Sequence, residues 1–117
     1  MPRTILVVDD EPDIREFLKD ILEEKGFLVT SAEDGIAAYQ QVTEVRPDLI
    51  LLDVEMPRET GTGFYRKLTR RKELRDIPVI LVSGYHTRHI AVSKGVTVVD
   101  KPIEEKKLLR EIDRLLS

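Results

Sequence analysis

The chain of 117 residues contains no cysteine, which excludes disulfide bonds and metal sites built from thiolates. It has no apolar run long enough to cross a membrane, and its first residues lack the pattern of a signal peptide. It also has no excess of basic charge, because it contains 19 Lys and Arg residues and 22 Asp and Glu residues. We therefore expect a cytoplasmic protein that binds neither nucleic acid nor a membrane.

Five short apolar runs alternate with segments of helical periodicity, and the chain length suits one domain over residues 1–117. The apolar runs are 5–9, 27–31, 49–53, 79–82 and 96–99. The helical patterns lie within 12–26, 38–45, 62–71, 86–94 and 108–116, and the fourth is short and poorly patterned. Strands that alternate with helices predict a parallel sheet with helices on both faces. Periodicity alone does not reveal the order of the strands.

Single residues predict where the first helix begins and ends, and which residues share one face in the first two helices. Pro12 suits the first turn of the first helix, and Gly26 suits its end. Phe17 recurs with four aliphatic residues at helical spacing, which predicts an amphipathic helix. In the second helix, Val45 is expected to share one face with Ala38.

Carboxylates follow two of the predicted strands. Asp9 and Asp10 end the first apolar run, and Asp53 ends the third. If these strands are parallel neighbours, the carboxylates converge at the carboxyl edge of the sheet, where open α/β sheets bind ligands. Carboxylates held close together repel one another unless they share protons or bind a cation. Oxygen ligands suit a hard cation such as Mg²⁺. The alternative is that Asp9 and Asp10 merely cap the first helix.

Two further polar residues are expected at the same edge. Ser83 follows the fourth apolar run, and Lys101 follows the fifth. A carboxylate beside a metal can act as a nucleophile toward phosphorus, while a hydroxyl and an ammonium can each hold a phosphoryl oxygen. Because phosphoryl transfer depends mostly on positioning and charge neutralisation, this set of residues favours a phosphoryl-transfer site.

These residues stand in motifs through which the whole chain resembles the receiver domain of two-component response regulators, of the chemotaxis-regulator-like kind. The motifs are Val8-Asp9-Asp10-Glu11, Asp53-Val54-Glu55-Met56-Pro57 with Gly61 beyond, Val82-Ser83-Gly84 and Lys101-Pro102. The resemblance implies a flavodoxin-like, doubly wound α/β fold with five helices. Its five-stranded parallel sheet would have the order 2-1-3-4-5, with the site where the strand order reverses.

The resemblance also implies a phosphoacceptor and a metal site. Asp53 would accept a phosphoryl group from the phosphohistidine of a histidine kinase or a histidine phosphotransfer protein. Mg²⁺, which Mn²⁺ could replace, would be bound by Asp10 directly, by Asp9 through water, by Asp53 itself and by the backbone carbonyl of Glu55.

The remaining motif residues would form the switch. By the same resemblance, Ser83 would bind the phosphoryl group and move toward it, and Lys101 would pair first with Asp53 and then with a phosphoryl oxygen. Gly84 and Pro102 would support them, with a cis bond between Lys101 and Pro102. Phosphorylation adds about −1.5 to −2 charge, which would shift a two-state equilibrium that a downstream protein target reads.

Two features depart from the pattern of these receivers. Val98 stands three residues before Lys101, where receivers usually carry an aromatic switch residue. The segment between Ser83 and Lys101 is also shorter than usual by about one helical turn. We therefore expect a shortened fourth helix.

Three functions compete at this point. The leading interpretation is a phosphorylation-dependent signalling switch, a monomer or weak dimer that is not an enzyme because it catalyses only its own phosphorylation and dephosphorylation. The alternative is a receiver-like module that binds proteins independently of phosphorylation. A phosphatase with an aspartyl nucleophile is disfavoured because no cap domain is available to form a substrate pocket.

Overall fold

The computed structural model describes residues 2–55, 61–84 and 96–117, which contain five strands and four helices. In chain order they are β1 (Thr4–Val8), α1 (Pro12–Glu24), β2 (Leu28–Ala32), α2 (Gly35–Glu44), β3 (Leu49–Asp53), α3 (Gly61–Arg70), β4 (Val79–Ser83), β5 (Thr97–Asp100) and α4 (Glu105–Leu116). The shortened helix predicted within 86–94 and the dipeptide Met56-Pro57 lie outside the described residues.

The five strands form one parallel sheet in the order β2-β1-β3-β4-β5, which confirms the expected topology. Every residue of β3 and β4 is buried, as is typical of parallel strands covered on both faces. The chain passes from β1 outward to β2 and then returns across β1 to β3, so the strand order reverses between β1 and β3. The carboxyl ends of these two strands therefore lie side by side.

Two apolar cores cover the two faces of the sheet because successive side chains of a strand point to opposite faces. In β1, Ile5 and Val7 join one core, and Leu6 and Val8 join the other. The first core contains buried residues of α1 and α4, namely Leu18, Ile21, Leu22, Leu108 and Ile112. The second contains buried residues of α2 and α3, namely Ala38, Val42, Phe64 and Leu68. The described helices pack on the two faces of the sheet and so position the carboxyl ends of the strands.

The helix boundaries follow local signals, with two exceptions on the helix faces. Pro12 lies in the first turn of α1, and Gly26 ends it with a φ of 94°, as predicted. Phe17, however, is 43% exposed, although it recurs at helical spacing with the buried residues Leu18 and Leu22. Val45 lies just past α2 and is 56% exposed, so it does not share a helix face with Ala38 as predicted. Neither residue faces the sheet, and periodicity alone does not show where a helix stops. None of the described helices is long and apolar enough to cross a membrane.

Candidate functional site

Three carboxylates meet at the carboxyl edge of the sheet. Asp9 and Asp10 follow β1, Asp53 ends β3, and one carboxylate oxygen from each lies within 4.8 Å of the others. Asp9 and Asp53 are almost completely buried, whereas Asp10 is half-buried. The neighbouring positions of β1 and β3 in the sheet create this cluster, as the sequence predicted.

The turn after β1 is held by hydrogen bonds around Asp9. Its Oδ1 accepts the backbone N–H of Glu11 at 2.9 Å, and its own N–H donates to the carbonyl of Ala32 at 3.1 Å. The guanidinium of Arg15 in α1 donates to the carbonyl of Asp9 at 2.6 Å. The sequence analysis did not identify Arg15 as a site residue. The indication it offered was a basic residue about one helical turn after Asp9 and Asp10. These bonds fix the direction in which the Asp9 carboxylate points.

The two carboxylate oxygens of Asp53 differ in their contacts with the described residues. Its Oδ1 accepts the N–H of Glu55 at 2.9 Å and lies 3.2 Å from the Lys101 ammonium. Within the part of the chain that the structure describes, Oδ2 of Asp53 and Oγ of Ser83 are both buried and have no hydrogen-bond partner. Because buried polar atoms are nearly always satisfied, two such atoms at one strand edge indicate a place for a polar ligand.

Ser83 and Lys101 come together through the pairing of β4 with β5. Ser83 is opposite Asp100 in the register, and the N–H of Lys101 donates to the carbonyl of Ser83 at 2.9 Å. The Lys101–Pro102 peptide bond is cis, as the resemblance implied. The side chain of Val98 is partly buried and packs against the core that contains Phe64.

Burial dominates the protonation of the site. It raises the pKa of Asp9 from 3.8 to about 6, although the N–H of Glu11 opposes this effect. It also raises the pKa of Asp53, against the lowering effects of the Glu55 N–H and Lys101. Burial lowers the pKa of Lys101, but the negative charges of Asp53, Asp9 and Glu55 outweigh it and the net shift is upward. Three clustered carboxylates face one ammonium, so the surplus negative charge favours a bound cation.

The side chain of Glu55 also contributes to the site, which its backbone role in the motif did not predict. Its Oε1 accepts the N–H of Gly84 at 2.8 Å and so joins the segment after β3 to the end of β4. The sequence contains no signal for this contact, because the two residues are 29 positions apart and the reach of a side chain depends on the packed loops.

Comparison with known proteins agrees with this geometry. The family model for the response regulator receiver domain matches residues 5–113. Protein Rrf1 of Nitratidesulfovibrio vulgaris is 33% identical over 117 residues, covering 100% of this chain and 85% of its own. The phosphate regulon transcriptional regulatory protein PhoB of Escherichia coli is 38% identical over 120 residues, covering 99% of this chain. This chain spans about half the length of PhoB, 52%.

Among solved structures, the response regulator protein TrrA of Thermotoga maritima in complex with Mg²⁺ and BeF is 34% identical to this chain. The two superpose with a TM-score of 0.87, over 97% of this chain and 99% of that one. The likeness therefore extends across the whole sheet and both helical layers.

Proposed function

This chain belongs to the family of response regulator receiver domains, and we propose that it works as a phosphorylation-dependent switch with Asp53 as the phosphoacceptor. Receiver domains of this family act in two-component signalling. One observation carries the proposal for this chain. The buried Oδ2 of Asp53 has no partner among the described residues, and the equally unpartnered hydroxyl of Ser83 lies at the end of the adjacent strand.

The chemistry assigned to Asp53 is a single displacement at phosphorus. Oδ2 attacks the phosphorus of a phosphohistidine on a histidine kinase or phosphotransfer protein. The new phosphorus–oxygen bond forms as the phosphorus–nitrogen bond breaks, and the imidazole leaves with the electron pair. Lys101, already 3.2 Å from Oδ1, keeps Oδ1 paired, which leaves Oδ2 as the attacking oxygen.

The donor set suits Mg²⁺, and Mn²⁺ could replace it. Asp9, Asp10 and Asp53 supply carboxylate oxygens close together, and the backbone carbonyl of Glu55 would complete the protein ligands. A divalent cation bound there would neutralise the charge that develops on the phosphoryl oxygens. Burial raises the pKa of Asp9, and the nearby charges of Asp53 and Asp10 raise it further. A cation bound beside these carboxylates would favour their ionised forms.

Signal output follows from the added charge. A phosphoryl group on Asp53 would bring about −1.5 to −2 charge to the sheet edge, where the Lys101 ammonium and the Ser83 hydroxyl would bind its oxygens. Movement of the segment after β4 toward the phosphoryl group would change the surface that a downstream protein contacts. The chain would then act once per phosphorylation event, with no separate substrate to turn over.

Intact-mass spectrometry after incubation with acetyl phosphate tests the proposal, with and without Mg²⁺. The wild type is expected to gain the mass of one phosphoryl group only when Mg²⁺ is present, and Asp53→Asn is expected to gain none. Asp48→Asn is the matched control, because Asp48 lies next to the opposite end of β3 and bonds the N–H of Thr4. Its phosphorylation should equal that of the wild type.

The competing function is a module that binds proteins independently of phosphorylation. The observation in its favour is Val98, which packs into a core in place of the usual aromatic switch residue. A folded wild type that gains no phosphoryl group under any condition would support this function and contradict the switch.

A further inference from the structure

The carboxylate of Glu55 joins the two loops that flank the phosphoacceptor. Glu55 lies two residues after Asp53, and its N–H already bonds the Oδ1 of that residue. Its side chain reaches across the site, where Oε1 accepts the N–H of Gly84 at 2.8 Å. Gly84 directly follows Ser83, whose buried hydroxyl has no partner within the described ranges. One side chain therefore connects the phosphoacceptor loop to the segment that carries the switch hydroxyl.

The contact depends on the small size of Gly84. A Cβ at this position would lie 2.6 Å from Oε1 of Glu55, closer than real Cβ atoms come to other atoms. Gly84 does not adopt a positive φ, unlike Gly26. Its backbone conformation is therefore open to any residue, and what glycine supplies here is room for the carboxylate of Glu55.

The carboxylate of Glu55 acts on the same groups that a phosphoryl group would need. It contributes to the raised pKa of Lys101, together with the charges of Asp53 and Asp9. Gly84 offers an N–H donor at the end of β4. A phosphoryl group on Asp53 would bring more negative charge than a carboxylate, and the two anions would repel each other while competing for the same donors.

We propose that Glu55 is a positioning residue, a latch that holds Ser83 and Gly84 in the unphosphorylated arrangement until a phosphoryl group displaces its carboxylate from Gly84. The latch is the hydrogen bond between Oε1 of Glu55 and the N–H of Gly84. This inference rests on the proposed function of Asp53. Its consequence is that part of the binding energy of the phosphoryl group is used to open the latch, so removing the carboxylate favours the phosphorylated arrangement.

The first test measures the latch itself, by NMR hydrogen exchange of the Gly84 amide without Mg²⁺. Glu55→Ala removes the acceptor and keeps the backbone carbonyl, and the Gly84 amide should then exchange about tenfold faster. A factor of about ten corresponds to the lower end of the energy range for a hydrogen bond to a charged group, as expected for an exposed contact. Glu55→Gln keeps an oxygen acceptor, so its Gly84 amide should exchange faster than in the wild type and more slowly than in Glu55→Ala. Equal exchange in the wild type and Glu55→Ala would overturn the latch.

The second test measures displacement, with beryllofluoride and Mg²⁺ as the phosphoryl probe. Glu55→Ala should bind beryllofluoride about tenfold more tightly than the wild type, since no hydrogen bond has to break. Glu33→Ala is the matched control, because it removes an exposed carboxylate at the same edge, just after β2. Its affinity should stay at the wild-type value. Unchanged or weaker binding by Glu55→Ala would overturn the displacement.

A second variant breaks the latch from the other side. In Gly84→Ala the new methyl group meets only the flexible end of Glu55, so the carboxylate is expected to turn away without unfolding the protein. The gain in beryllofluoride affinity should match that of Glu55→Ala, and the double variant should add nothing further. Additive effects would show that the two residues do not act through one contact. If no variant and no wild-type sample bound the probe, the proposed function of Asp53 would fail, whereas tight wild-type binding without an effect of Glu55→Ala would contradict only the latch.

Discussion

Replacing Asp9 with asparagine is expected to stabilise the metal-free protein at neutral pH, although it removes a carboxylate from the acidic cluster. Asp9 is only 2% exposed, and burial raises its pKa from 3.8 to about 6. The folded protein therefore holds this proton more tightly than the unfolded chain does. An asparagine has no proton to lose in this range, and its Oδ1 can still accept the N–H of Glu11.

The size and sign of the effect follow from this pKa difference. The gap of about 2 pKa units, at about 1.4 kcal/mol each, corresponds to about 3 kcal/mol. Below pH 3.8 Asp9 is protonated in both states, and its ionisation has no effect on stability. As the pH rises from 3.8 to about 6 the unfolded state loses its proton first, so the free energy of unfolding falls and then stays low. Asp9→Asn should therefore gain up to about 3 kcal/mol above pH 6 and little near pH 4.

Urea unfolding followed by circular dichroism, in buffers that contain EDTA, measures this gain across the pH range. Asp20→Asn is the control, because it removes the same charge from an exposed position of α1. Saturating Mg²⁺ should stabilise the wild type more than Asp9→Asn, since a cation prefers the ionised site. A gain that is equal at low and high pH, or absent at high pH, would refute the reasoning.

Two further changes test the fold that supports the site. Phe64→Ala removes a completely buried ring from the core beneath α3 and should cost about 3–5 kcal/mol in urea unfolding; a cost below that of an ordinary surface substitution would contradict its placement. Asp34→Ala removes the side chain that accepts the N–H of Ala37 at 2.8 Å at the start of α2. It should lower the free energy of unfolding by about 1 kcal/mol, while Asp34→Asn should stay close to the wild type in the same measurement.

Much of the fold was predictable because it depends on local patterns. The short apolar runs predicted all five strands. The structure shifts β1, β2 and β5 by one residue and extends β4 by one residue. Pro12 and Gly26 marked the ends of α1 through backbone preferences that any chain would show. The predicted faces were less reliable, since Phe17 and Val45 are exposed. Burial depends on what packs against a residue as well as on its spacing.

The site also has features that the sequence predicted and features that it did not. The acidic cluster was predictable because its carboxylates follow apolar runs, and the resemblance to receivers implied that β1 and β3 are neighbours in the sheet. The contacts of Arg15 with Asp9 and of Glu55 with Gly84 were not, because they join side chains to backbone groups on separate loops. The direction of the pKa shift of Asp9 was equally hidden, since it depends on how completely the packed chain excludes water from that carboxylate.

By itself, the sequence determined the identity and order of the strand-end residues, and with them the chemistry available at one edge of a parallel sheet. It could do so because strand periodicity, turn residues and the motifs around Asp53 are local properties of the chain. Only the tertiary structure decided that Lys101 pairs with one oxygen of Asp53, that the other oxygen and the Ser83 hydroxyl have no partner among the described residues, and that Glu55 reaches Gly84. Those features are distances between groups far apart in the chain, and such distances exist only once the sheet has brought its strands together and the helices have closed over both faces.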